Sequence, residues 1–196
     1  RERNGMICTI SAYLTALLIK EQIITRTEKE IYEYGFEITI ANLINGLIIL
    51  CVGSGLHLFI EAILFYLVFV SLRFFSGGYH ANSYIRCFLS FSLTSGLCLI
   101  VARCISKYEN AVIILFVIAT IALGSCIFRL APVEHENRLL TQEEKKIFRK
   151  RSIQLYIFWS VIGIVLWQAH LIRMEASLIS TFIAVSILMI GGDHHE

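Results

Sequence analysis

The chain has 196 residues, 57% of them hydrophobic and 16% charged, with a formal net charge of +2 and a mean hydropathy of +0.72. Soluble domains run nearer about 45–50% apolar and about 25% charged, so this composition excludes an ordinary soluble globular fold. A single proline argues against a loop-rich protein, and the near-neutral charge gives no reason to expect a nucleic-acid partner.

The amino end opens with an apolar run over 6–19 that stops at Lys20, followed by a stretch to Tyr32 whose apolar positions recur every three to four residues. That spacing suits a helix lying along the membrane interface. The run itself can also be read as a buried or re-entrant helix. With no small-residue cleavage site of the A-x-A kind, a removable signal peptide is not expected. Six apolar stretches then approach the roughly 20 residues that a helix needs to cross a bilayer: 36–52, 56–75, 87–102, 111–130, 153–169 and 176–190. They are too long and too unalternating for membrane strands. The expected fold is therefore an all-α membrane protein: one domain over 1–196, with 1–35 as an interfacial amphipathic region and about six transmembrane helices over 36–190.

Basic residues orient such a bundle. Lys20, Arg26, Lys29, Arg86 and the run Arg138, Lys145, Lys146, Arg149, Lys150 and Arg151 fall in one set of connections, against Arg103, Lys107 and Arg173 in the other. Both termini and the connections 77–86 and 131–152 are accordingly expected on the cytoplasmic side of a cell membrane. The mixed charges of 131–152 fit a helical extension of the following span or a dock for anionic lipid or a charged peptide.

Ionisable groups in the early spans are Glu37, His57 and Glu61, with Asn42 and Asn45; such groups usually face a protein interior. His57 and Glu61, four apart, are expected to pair on one helical face. The cysteines are Cys8, Cys51, Cys87, Cys98, Cys104 and Cys126, with no C-x-x-C pair. Cys51, Cys98 and Cys126 read as buried thiols, and Cys8 and Cys104 as near the surfaces. No third ligand stands near any His–Cys pair, so neither a metal nor a cofactor is expected.

The segment from Arg73 through Phe74, Phe75, Ser76, Gly77, Gly78, Tyr79, His80, Ala81, Asn82 and Ser83 to Cys87 stands apart. A thiol and an imidazole share one connection beside the membrane, and such a pair can form a nucleophile with its general base. On one continuous helix their seven-residue separation would span about 10.5 Å, far beyond proton-transfer distance. A dyad therefore requires a break. Gly77 and Gly78 can end the incoming helix, and Asn82 or Ser83 can cap the outgoing one. Cys87 would then lie at a helix amino end beside Arg86, a setting that favours its thiolate. The bland alternative makes His80 an interfacial residue and Cys87 filler.

This pattern resembles the accessory gene regulator protein B family, membrane cysteine endopeptidases that process quorum-sensing propeptides. The family's Gly-Gly-x-His-Ala run and the Cys seven residues after its His match Gly77, Gly78, His80, Ala81 and Cys87, and Arg73 matches a basic position. Ala131, Pro132, Glu134, Asn137 and Arg138 match a second motif, although Leu139 stands where many members have proline. Glu37, after Tyr34, Gly35 and Phe36, resembles a polar family position. The tail 191–196 is less basic than many family tails.

The resemblance implies that His80 and Cys87 are catalytic and that Glu37, Arg73, Gly77, Gly78 and Asn82 support the site or contact substrate. It further implies a short amphipathic propeptide as substrate, membrane lipids as surroundings and a homodimer. A peptidyl thioester on Cys87 would be resolved into a cyclic thiolactone or lactone peptide. On composition alone, a small transporter or channel without peptidase activity is the alternative; it predicts polar residues at mid-depth in several spans.

Overall fold

A computed structural model describes residues 6–77, 84–133 and 140–193. Its helices are α1 (Met6–Lys20), α2 (Lys29–Gly55), α3 (Phe59–Ser76), α4 (Tyr84–Ile105), α5 (Glu109–Leu130), α6 (Gln142–Gln168) and α7 (Ile172–Asp193). Among the described residues the only β pairing is an isolated bridge. The expected multi-span all-α membrane fold is the fold found. Five helices (α2, α3, α4, α5 and α7) are long and apolar enough to cross a membrane. The sixth expected span is the apolar part of α6, over 153–167; its first turns carry Glu143, Glu144, Lys145, Lys146, Arg149, Lys150 and Arg151. The helical-extension reading of 131–152 thus holds from Gln142 onward.

Local chemistry sets the helix starts. Thr141 and Glu144 form a reciprocal capping box at α6: Glu144 N–H donates to Thr141 Oγ1 at 3.3 Å and Thr141 N–H to Glu144 Oε2 at 2.8 Å. Thr25 and Glu28 do the same for a 3₁₀ turn, Arg26–Glu28, that leads directly into α2. The periodic stretch after Lys20 is therefore divided between a turn and the opening of a 27-residue helix. The expected N-terminal helix is α1, shorter than the spans, and it packs on α2. Ser11 and Thr15 are buried there and satisfy their hydroxyls on the carbonyls of Cys8 and Ser11.

The bundle is built around α7, which packs against α3, α4, α5 and α6. It is buried without interruption over 175–182. Small side chains allow that approach, and their hydroxyls stay bonded: Ser180 and Thr181 donate to Ser177 O, and Ser186 to Phe182 O. Ser177 crosses to Glu61 O on α3 at 2.9 Å. Three further bonds lock neighbours together: Tyr66 Oη to Asn42 O at 2.7 Å, Trp159 Nε1 to Ser71 Oγ at 2.9 Å and Tyr156 Oη to Thr120 O at 3.1 Å. Gly53 lets α2 meet α3 so closely that a β-carbon there would collide with that of Ala62.

Candidate active site

The last turn of α3 and the residue after it build one wall of the site. Gly77 ends the helix at φ +73°, and its N–H donates to Arg73 O at 3.1 Å. A β-carbon on Gly77 would strike the carbonyl oxygen of Val133. Glycine is required there on two grounds, the left-handed backbone and the close approach. Val133 N–H donates to Ser76 O at 2.9 Å within a parallel Gly77–Val133 bridge. The connection carrying the Gly-Gly sequence is thereby pinned to the connection carrying Ala131 and Pro132.

Side chains reinforce this end. Arg73 Nη1 donates to Gly77 O at 3.3 Å, so the guanidinium braces the turn from its own helix. Arg149, on the charged extension of α6, donates to Phe128 O at 2.9 Å and satisfies a carbonyl at the end of α5. Phe74, Phe75 and Phe148 cluster, with ring centroids 4.9 to 6.2 Å apart. Beside them lies a cavity of about 540 Å³ lined by Phe75, Arg151, Gln154, Leu155 and Phe158. Glu37 is 7% exposed on α2. The antiparallel register that sets Gly53 against Ala62 and Gly46 against Tyr66 brings Glu37 level with the last turn of α3.

The other wall is α4. It is described from Tyr84 onward, so the Cys87 backbone is helical. The side chain of Cys87 lies outside the described residues, as do Gly78, Tyr79, His80, Asn82, Glu134, Asn137, Arg138 and Leu139. In sequence, His80 falls between Ser76, where α3 ends, and Tyr84, from which α4 is described.

A family model, Accessory gene regulator B, matches residues 11–190 of the chain. The chain belongs to the accessory gene regulator B family. That membership places it among membrane proteins of quorum-sensing signal processing. Two relatives from Clostridium perfringens are similar to it. "Putative AgrB-like protein 2" of strain 13 is 29% identical over 170 residues, covering 83% of this chain and 79% of the relative. "Putative AgrB-like protein" of strain SM101 is 27% identical with the same coverage. No solved structure matches.

Several polar residues of this family member stand apart from that end. Glu61 does not pair with His57. Its carboxylate meets Arg173 Nε at 2.8 Å, while His57 lies outside α3 with φ +56° and offers its carbonyl to Arg173 Nη2 at 3.1 Å. The four-residue spacing misled because His57 belongs to the turn, not to the helix. Cys51 is exposed rather than buried, whereas Cys98 and Cys126 are half-buried, with thiols 3.7 and 4.0 Å from the carbonyls of Ser180 and Ser186. Among the described residues no cluster of three His, Cys, Asp or Glu could hold a metal.

Glu175 was passed over because the last span was drawn from 176, whereas α7 begins at Ile172. It is fully buried, and neither carboxylate oxygen has a partner among the described residues. A signal for it existed. Glu175 shares helical spacing with Ile179, Phe182 and Ser186, all buried.

Proposed function

We propose that this chain is a membrane cysteine endopeptidase in which His80 is the general base and Cys87 the nucleophile. The observation that carries the reading is the break at Gly77: α3 stops at Ser76, Gly77 turns away in the left-handed conformation, and the chain is helical again at the Cys87 backbone in α4. The dyad needs a break between imidazole and thiol, and the Gly77 turn ends the incoming helix three residues ahead of His80. At a helix amino end the partial positive charge of the unpaired N–H groups favours a thiolate. The bias of basic residues puts this end in the cytoplasm. Family membership supports the same chemistry.

The reaction follows from these roles. His80 takes the thiol proton of Cys87, and the thiolate attacks the scissile carbonyl carbon of a short amphipathic propeptide. Collapse of the tetrahedral adduct breaks the C–N bond, and protonated His80 gives its proton to the leaving amine. A peptidyl thioester stays on Cys87. A Cys thiol or Ser hydroxyl within the same peptide then attacks that carbonyl, giving up its proton to His80. Cys87 leaves as thiolate, the cyclic thiolactone or lactone is released, and no water is consumed. Phe75 and its aromatic neighbours shield the thioester, so that the tethered nucleophile outcompetes solvent. Arg73, by holding the Gly77 turn, is a positioning residue. Glu37, at the level of that turn, is the candidate to orient His80.

The test is a Cys87→Ala variant incubated with a candidate short amphipathic propeptide. Wild type is expected to release the carboxyl fragment and to form a hydroxylamine-sensitive adduct. The variant, with an unchanged melting temperature, should form neither, and His80→Gln should be slower by about 10²–10⁴. Persistent cleavage by folded Cys87→Ala would end the proposal.

A transporter reading has one specific observation in its favour, the buried and unpartnered Glu175 in α7. It predicts ion or peptide flux in proteoliposomes that Glu175→Gln abolishes and Cys87→Ala does not.

A further inference from the structure

At the end of the bundle away from Gly77, three connections of three residues each join α2 to α3, α4 to α5 and α6 to α7. The lysine and arginine side chains described at this end are Arg103, Lys107 and Arg173, from α4, the α4–α5 connection and α7. They are distant in sequence, yet all three line one cavity of about 310 Å³, together with Leu56, His57 and Ser106. No carboxylate lines it. Glu61, behind the wall, neutralises Arg173 through its Nε and leaves two positive charges facing the cavity.

The cations differ in how they are held. Arg173 is fixed, with Nε on Glu61 and Nη2 on His57 O. Arg103 Nη1 reaches Leu56 O only at 3.5 Å, the limit of a hydrogen bond. The Lys107 ammonium has no partner among the described residues. Helices α3 and α5 start just beyond the lining, after Leu58 and Tyr108, neither of which caps with its side chain. Their first N–H groups therefore add positive potential at the same place. With Arg173 already paired to Glu61, holding Arg103 and Lys107 around one opening still costs repulsion that an anion would relieve. The volume stands near the lower end of small-ligand sites. It accommodates a compact anion and excludes a folded peptide. Exposed apolar Phe59, Ile100 and Val101 on α3 and α4, and Leu171 in the α6–α7 connection, lie at this end of the bundle, which fits a cavity where hydrocarbon gives way to headgroups.

We propose that this cavity is an anion site for a phosphate group, from a lipid headgroup or from free phosphate, held by Arg103, Lys107 and Arg173 at the membrane surface opposite the Gly77 end. The guanidinium of Arg103 supplies a planar pair of donors to two phosphate oxygens, Lys107 supplies a point charge, and Arg173 fixes the floor. The proposal is independent of the peptidase reading, since none of these residues belongs to the His80–Cys87 end.

The experiment uses the full chain in nanodiscs of phosphatidylcholine containing a minority of phosphatidylglycerol. Native mass spectrometry reads retained lipid, and thermal denaturation reads inorganic phosphate added to nanodiscs of phosphatidylcholine alone. Wild type is expected to retain phosphatidylglycerol over phosphatidylcholine at least tenfold. The double variant Arg103→Gln/Lys107→Gln should lose that preference, and Arg103→Lys/Lys107→Arg, which keeps the charge, should recover most of it. Arg173 is left intact because its pair with Glu61 belongs to the fold. Should phosphate stabilise wild type but not the double Gln variant, without headgroup preference, the site stands with free phosphate as its source. Equal retention of both lipids, together with no phosphate effect that depends on Arg103 and Lys107, overturns the proposal.

Discussion

The two ends of the bundle are closed by different chemistry. At one end the backbone does the joining: Val133 N–H meets Ser76 O, Gly77 lies against the Val133 carbonyl, and arginines reach back to helix-end carbonyls. At the other end side-chain charges do it: Arg173 bridges Glu61 and the His57 carbonyl, and His170 Nδ1 meets Glu109 Oε1 at 3.3 Å. A backbone bridge holds two connections in register through main-chain atoms alone. That suits the peptidase site proposed for this end. Charged clamps suit connections of three residues, which have little backbone to spare and lie where water screens them.

The largest test of this contrast is Gly77→Ala. Strain at φ +73° and the collision with Val133 together predict a loss of about 2–4 kcal/mol, with at least a tenfold fall in propeptide cleavage. Thermal denaturation in detergent and a cleavage assay check both; an unchanged melting temperature would show that the bridge is not needed. Glu61→Gln breaks the clamp at the far end. Arg173 is 56% exposed on its side chain, so screening limits the loss to about 1 kcal/mol. The deficit should shrink at high salt, while turnover per folded molecule stays within twofold of wild type. If cleavage falls with stability, the two ends are coupled and the contrast fails.

Thr141→Ala removes a cap at the Gly77 end and should cost about 1 kcal/mol, visible as faster amide exchange confined to the first turns of α6. Smallest is Gly55→Ala. Nothing lies within 4 Å of a β-carbon there, so a melting temperature unchanged to within about 0.5 kcal/mol is expected. Its neighbour Gly53, against Ala62, should not tolerate the same change.

Much of the fold was legible because its causes are local. Apolar run length marked the spans, and Gly77 announced the end of α3 because few other residues take a left-handed conformation at a helix end. The candidate site was legible as a motif whose Gly77 closes α3 ahead of His80 and Cys87. Local rules also erred where a boundary was misplaced. Reading His57 as helical invented a pair with Glu61, and starting the last span at 176 hid Glu175.

By itself the sequence determined a multi-span helical membrane protein of the accessory gene regulator B family, since bilayer thickness turns composition directly into helix length and a local motif from Gly77 to Cys87 is read without any packing. Only the tertiary structure decided that Gly77 meets Val133, that α7 is the buried centre, that Glu61 belongs to Arg173 and that three scattered cations share one cavity. Those contacts join residues as far as 116 positions apart. They depend on which helix faces meet, and that choice is made collectively by the bundle rather than by any stretch of chain.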